Sequence, residues 1–335
     1  MKLLLLCIDG LRADLALPHH VAADEAFRRP DHDGDPKFGA TGADHTVAPD
    51  EAPERLAPTL DRLIRGSGPS EGAIVPVWMT PPTDSGPGWS SLLTGSTHDQ
   101  CNVWWNEFVG HDLARRPDIL TRLWAANPAA RTMVAATWWA FVDAPGPILQ
   151  RRVDQQRTGQ HQTFQPRLAD GLEAADAEVT QWANWHVLHD GPDAAVVYWE
   201  GIDGAGHAHG ADSKEYRDAV STIDEYVRHM VKAVYERHEE LGEDWLVAVT
   251  TDHGHKPEGG HGEDEVEVRR SFLILHHVGG PLPDVELPTT LRSEEVTPLL
   301  LRLVGADEGR WDSHDVGART VFEPKGPTRD LDYEW

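Results

Sequence analysis

The stretch TTDHGHKPEGGHG, residues 250 to 262, sets three histidines and an aspartate between glycines, directly after the apolar run WLVAVT. Neutral imidazole nitrogen and carboxylate oxygen are the donors zinc takes, in near-tetrahedral sets that keep one position open where the site is catalytic. Three other places put Asp, Ser or His just after an apolar run. Asp9 closes LLLLCID and is followed by Gly10. Ser85 lies in MTPPTDSGPGWSSLLTG, after AIVPVW. Its Pro and Gly residues force a turn, and WSSLLTG reads as a helix whose free N–H groups favour an anion; an ordinary helix cap is the competing reading. Asp203 and His207 stand four apart in EGIDGAGHAHG, after AAVVYW, and are expected to reach one ion from a Gly-rich loop. Each motif alone also has a bland structural reading. Together they form two sets of three, Asp203, His207 and His261, and Asp9, Asp252 and His253, with Ser85 beside the second. His255 and His209 lie next to these residues and read as neighbours, not ligands.

Those groups need a frame. The runs LLLLCID, AIVPVWM, RTMVAAT, AAVVYWE, WLVAVTT and SFLILHH are continuously apolar. Such runs suit strands covered on both faces, as in parallel sheets. Helical patterns alternate with them. APTLDRLIRGSG places Leu60, Leu63 and Ile64 at helical spacing before Gly66. A long amphipathic helix follows Ser213, with Tyr216, Ala219, Ile223, Val227, Met230, Val231 and Val234 on its buried face. The expected class is α/β, a central mostly parallel sheet with helices on both faces and a site at the carboxyl ends of the strands.

The chain has 335 residues, enough for one large domain, and we read 1–335 as a single catalytic domain. Residues 18–57 are rich in Pro, Asp, Gly and His and read as a surface insertion, with His19, His20, His32 and His45 in a solvated loop. Residues 104–190 read as a variable segment beside the site. A net charge of −26 repels phosphate backbones and anionic lipid, so neither a nucleic-acid polymer nor a membrane is an expected partner. Bound cations can reverse the local field, so a small anionic substrate stays compatible. No run reaches the roughly 20 apolar residues of a membrane helix. The two cysteines, Cys7 and Cys101, read as reduced, which favours the cytoplasm. The oligomeric state is left open.

The order of these motifs resembles the alkaline phosphatase superfamily, and within it the type I phosphodiesterase/nucleotide pyrophosphatase branch. The matching residues are Asp9-Gly10, Ser85 ten residues before Gly95, Asp203 to His207, Asp252-His253-Gly254 and His261-Gly262, with TPLLLRLVG similar to the family's closing helix. The resemblance implies an alkaline phosphatase-like fold and two zinc ions, although the same donors admit other divalent metals. It places one ion on Asp203, His207 and His261, and the other on Asp9, Asp252 and His253 with Ser85 as nucleophile. It also assigns Asn106, in VWWNEF, to a phosphoryl oxygen. The implied reaction is hydrolysis of a small phosphoester through a phosphoseryl intermediate, with Asn106 and the Gly86 N–H on the equatorial oxygens.

The chain departs from the branch pattern by carrying SGPG where TFPN is usual. Thr83, two residues off register, is a fallback nucleophile. Rival readings are a phosphomonoesterase or phosphonate hydrolase with the same metals, a sulfatase and an inactive metal-binding protein. Monoesters usually call for an added cation, and Arg12 reads equally as a structural ion-pair partner. Sulfatases need Arg where this chain has Trp89. Trp89, Trp104, Trp105, Trp124, Trp138, Trp139, Trp182, Trp185 and Trp199 could supply a slot for a base, an aryl group or a quaternary ammonium, or could simply pack.

Overall fold

The computed structural model describes residues 1–28, 45–47, 55–148 and 153–306. His32, and most of the 18–57 stretch, lie outside the described residues.

Eight strands form one sheet. They are β1 (Lys2–Ile8), β2 (Glu71–Trp78), β3 (Thr132–Ala136), β4 (His161–Phe164), β5 (Ala194–Trp199), β6 (Trp245–Thr251), β7 (Arg270–Val278) and β8 (Leu291–Arg292). Their order across the sheet is β4-β3-β5-β1-β6-β7-β2-β8. All neighbours run parallel except β7, which is antiparallel to both β6 and β2. This is the expected α/β class. The continuous apolar runs have the expected cause: β1, β5 and β6 each send alternate residues into two separate cores, one on either face of the sheet. Leu4, Leu6 and Ile8 enter one core, and Leu3, Leu5 and Cys7 the other.

The helix Lys214–Leu241 covers one face with Tyr216, Ile223, Val227, Met230 and Val234 buried, and Ser213 caps it by accepting the Tyr216 N–H. The helices Ser85–Thr94 and Val296–Leu303 cover the other. Residues 104–190 do more than border the site, since β3 and β4 within them extend the sheet. The 18–57 stretch also differs from a purely solvated loop. Pro18–Ala23 is helical, Val21 and Phe27 are buried, and His20 pairs with Asp61 at 2.9 Å. Its low periodicity hid the core residues Val21 and Phe27, and Leu56 and Ala57 at its end enter the same core. Cys7 and Cys101 are free and buried. Among the described residues no helix is long and apolar enough to cross a membrane.

Arg12 is structural. It is fully buried and grips Asp14 through two bonds, Nε to Oδ1 at 3.1 Å and an Nη to Oδ2 at 2.6 Å. Asp14 also accepts the Val47 N–H at 2.9 Å. Removing one partner of a buried pair strands the other charge, at a cost of about 3–5 kcal/mol. Asp14→Ala is therefore expected to lower the unfolding free energy by about that much in urea titration; a loss below about 1 kcal/mol contradicts the assignment.

Candidate metal centre and nucleophile

Each chemical group sits where a strand stops. Asp9 follows β1, Asp252 and His253 follow β6, the helix bearing Asp203 and His207 starts two residues after β5, and Ser85 begins the helix after β2. The parallel frame thus sends them to one end of the sheet. Gly10 has φ +69°, and a Cβ there would lie 2.9 Å from the Asp203 backbone, so only glycine lets the β1 turn pass so close. Tyr216 of the long helix fixes that turn, donating to the Gly10 carbonyl at 2.5 Å and accepting the Arg12 N–H at 2.9 Å.

Asp203 and His207 are not on a loop as expected. They occupy one face of the helix Gly201–His209, at i and i+4. The glycines that suggested a loop are sites of close packing. A Cβ at Gly201 would meet Asp176 at 2.6 Å, and one at Gly204 would meet Leu172 at 2.3 Å. Asp176, deep in the neighbouring helix, accepts the N–H groups of Glu200 and Gly201 at 3.2 and 2.8 Å. A carboxylate there complements the positive end of the helix dipole. Nothing in the sequence around Asp176 announces this role.

The expected residues converge. Asp203 Oδ1 lies 3.5 Å from Nε2 of both His207 and His261, and those nitrogens are 3.1 Å apart. His253 Nε2 is 3.3 Å from Asp9 Oδ1, 3.4 Å from Asp252 Oδ2 and 3.3 Å from Ser85 Oγ. Ser85 Oγ is 3.5 Å from Asp9 Oδ1. The two sets are not separate, because Asp203 also comes within 4.8 Å of Asp9 and His253. His255 is buried against Asp203, and His209 is exposed.

The fixed hydrogen bonds aim lone pairs at the gaps. His253 Nδ1 faces the Gly254 carbonyl at 3.0 Å and His261 Nδ1 faces the Thr83 carbonyl at 3.1 Å, so each main-chain oxygen takes an N–H and leaves Nε2 for an ion. Asp252 Oδ2 is buried with no hydrogen-bond partner. Donors of zinc type meet each other here at 3.1 to 3.5 Å. Tetrahedral zinc with bonds of roughly 2.0–2.1 Å spaces its ligands by roughly 3.3 Å. The donor types and spacings present fit a divalent metal of this kind.

Thr83 is not a free nucleophile. Its hydroxyl donates to the Glu263 carbonyl and accepts the Gly262 N–H, both at 3.0 Å, tying down the loop that carries His261. Ser85 opens the helix Ser85–Thr94 and is nearly buried. The Gly86 N–H was expected to hold a phosphoryl oxygen, but it donates to Asn106 Oδ1 at 2.7 Å. That bond fixes the Asn106 amide with its NH2 as the remaining donor. Gly88 lets the helix approach Asp252, whose Cβ would stand 3.2 Å from an added Cβ. Asp9 has supports that the sequence hid. Trp89 Nε1 donates to its Oδ2 at 3.0 Å, and the Tyr198 hydroxyl donates to the same atom. Trp89, Trp199 and Tyr198 are buried, whereas Trp105 beside Asn106 is 64% exposed. Of the tryptophans near Ser85, it is Trp105 that solvent reaches most freely.

Charge is concentrated accordingly. Burial and the Asp9 carboxylate push Asp252 well above the usual carboxylate range. Burial alone would lower His253, but Asp252 and Asp9 outweigh it and raise it to about 10. Burial and the nearby His253 and His255 press His261 down to about 2. The metal-free protein therefore holds a proton on His253 at neutral pH, and a metal must displace it. Zinc uptake at pH 7 is expected to release at least one proton, and affinity to fall as pH drops, read by calorimetry in buffers of different ionisation enthalpy. Binding without proton release contradicts the charge assignment.

Similarity to known proteins gives the family and the fold. The family model described as type I phosphodiesterase/nucleotide pyrophosphatase matches residues 47–269. The catalytic subunit of GPI ethanolamine phosphate transferase 3 of Mus musculus is 24% identical over 318 residues, covering 91% of this chain and 24% of the relative. Its Homo sapiens counterpart is 30% identical over 115 residues, or 34% of this chain and 10% of the relative. The chain thus spans about a quarter or less of these relatives' length. Among solved structures, human ectonucleotide pyrophosphatase/phosphodiesterase 5 superposes with a TM-score of 0.55 at 14% identity, covering 92% of this chain and 96% of that one. The C-terminal periplasmic domain of EcEptC from Escherichia coli, solved in complex with Zn, gives 0.52 at 10% identity, covering 91% and 84%. These likenesses show the alkaline phosphatase-like fold. With its model spanning well over half the sequence, the chain belongs to the type I phosphodiesterase/nucleotide pyrophosphatase family, a phosphoester-acting branch of the alkaline phosphatase superfamily.

Proposed function

We propose that this chain is a zinc-dependent hydrolase of small phosphoric diesters that works through a phosphoseryl intermediate. The observation that carries the proposal is the spacing of 3.1 to 3.5 Å among Asp203, His207 and His261, together with the contacts of 3.3 to 3.5 Å that join His253 to Asp9, Asp252 and Ser85, and Ser85 to Asp9. Two zinc ions bound there would supply a lowered pKa for the serine hydroxyl and countercharge for the leaving oxygen. The chain's own residues do the rest. Ser85 Oγ, deprotonated, forms a bond to phosphorus as the bond to the leaving alkoxide breaks. Water then forms the new P–O bond as the Ser85 ester breaks, returning the serine. The Asn106 NH2, oriented by the Gly86 bond, donates to an equatorial oxygen whose charge grows in both steps. The start of the helix Ser85–Thr94 presents its dipole to the same group.

A transferase is the second reading, favoured by the names of the 24–30% identical relatives. In it an acceptor hydroxyl replaces water in the second step. One neighbour, inactive mouse ectonucleotide pyrophosphatase/phosphodiesterase 5, was solved with AMP, which supports a substrate of nucleotide size.

Zinc-loaded protein is expected to cleave bis(p-nitrophenyl) phosphate faster than p-nitrophenyl phosphate or the aryl sulfate. Ser85→Ala is expected to lower kcat by at least about 10³-fold, and Asn106→Ala by about 10²–10³-fold with a smaller change in KM. Full activity in Ser85→Ala overturns the nucleophile. A faster monoester or sulfate reaction overturns the substrate class. Product appearing mainly on an added alcohol favours transfer over hydrolysis.

A further inference from the structure

Four residues gather around the first proposed ion, and His255 is the extra one. We propose that His255 is a positioning residue that donates Nε2–H to Asp203 and fixes the carboxylate facing the ion, without itself binding metal. The proposal rests on the metal-centre reading above.

Three observations distinguish His255 from its neighbours. The first is distance. Its Nε2 stands 2.8 Å from Asp203 Oδ1, whereas His207 and His261 each stand 3.5 Å from that same atom. Ligands of one tetrahedral zinc sit roughly 3.3 Å apart, and 2.8 Å is the length of a charge-assisted N–H···O bond.

The second is the far side of the ring. A histidine that ligates through Nε2 hands its Nδ1–H to a fixed acceptor, as His253 does to Gly254 and His261 does to Thr83. His255 Nδ1 is buried and meets no partner. As a ligand, His255 would carry an orphaned buried N–H, which proteins rarely tolerate. As a donor through Nε2, it leaves only a bare acceptor lone pair.

The third is the cradle. A Cβ on Gly206 would stand 2.6 to 2.7 Å from the His255 ring, and one on Gly10 would stand 3.0 Å from its Cδ2. Both glycines adjoin proposed ligands, Gly206 before His207 and Gly10 after Asp9. The ring is held between the turn after β1 and the helix Gly201–His209, so its donor direction is set before any ion arrives.

The test measures zinc affinity of the metal-free protein by chelator competition, with Co2+ absorption as the spectroscopic readout. His255→Leu fills the cradle without a donor; His255→Gln returns an amide N–H near the Nε2 position. Expected is a 10- to 100-fold loss of affinity at one of the two ions for Leu, and near wild-type binding for Gln. The Co2+ band at saturation should be the same in all three proteins. Wild-type affinity in His255→Leu reduces His255 to packing and overturns the proposal. A shifted Co2+ band and equal loss in both variants makes it a ligand, which also overturns it. Wild-type protein that binds no ion overturns the metal-centre reading and this proposal with it. Should the variants fail to fold, 15N spectroscopy of the histidines in the zinc-loaded wild type decides. His255 is expected with a proton on Nε2 and none on Nδ1, and the reverse overturns the proposal.

Discussion

Three buried carboxylates, Asp9, Asp203 and Asp252, point into one small volume at the end of the sheet. Burial penalises each negative charge, and the charges penalise one another. Protons can relieve part of this, as the raised Asp252 and His253 indicate. Cations relieve it better, because they accept the imidazole lone pairs as well. The buried guanidinium of Arg12, three residues after Asp9, is committed to Asp14. Much of the surrounding architecture follows from keeping those acids together: Trp89 and Tyr198 on Asp9, Asp176 beneath the helix of Asp203, and Thr83 under His261.

The sheet explains how so costly an arrangement holds. β1, β5 and β6 lie side by side, each buried on both faces, and end at matched positions: Ile8 pairs with Trp199 and with Thr251. Residues just past those ends are delivered in register without any loop having to find its place. Glycine then permits the approaches that side chains would block, most clearly at Gly10 and Gly206. The cores on either face supply the rigidity, and the site uses it.

Much of this was legible in the sequence, for a physical reason. Asp9, Ser85, His253 and His261 each stand beside glycine at or beyond the end of an apolar run, and Asp252 directly precedes His253, so pattern and chemistry coincided. Legibility failed where one residue type served two purposes. Trp89 and Tyr198 read as core and are core, yet their polar edges hold Asp9. Asp176 sits mid-helix, where an acid usually faces solvent, and its task is visible only once two helices meet. Gly201, Gly204 and Gly206 signalled a loop by propensity, but close packing against Asp176, Leu172 and His255 kept them helical. The Gly86 N–H could not be assigned before Asn106 was placed against it.

Anomalous diffraction at the zinc edge, from crystals grown with zinc, tests the central claim most directly. The account predicts two peaks about 4 Å apart, one bounded by Asp203, His207 and His261, the other by Asp9, Asp252, His253 and the Ser85 hydroxyl. No peak at the end of the sheet, or a peak held by other side chains, would contradict it.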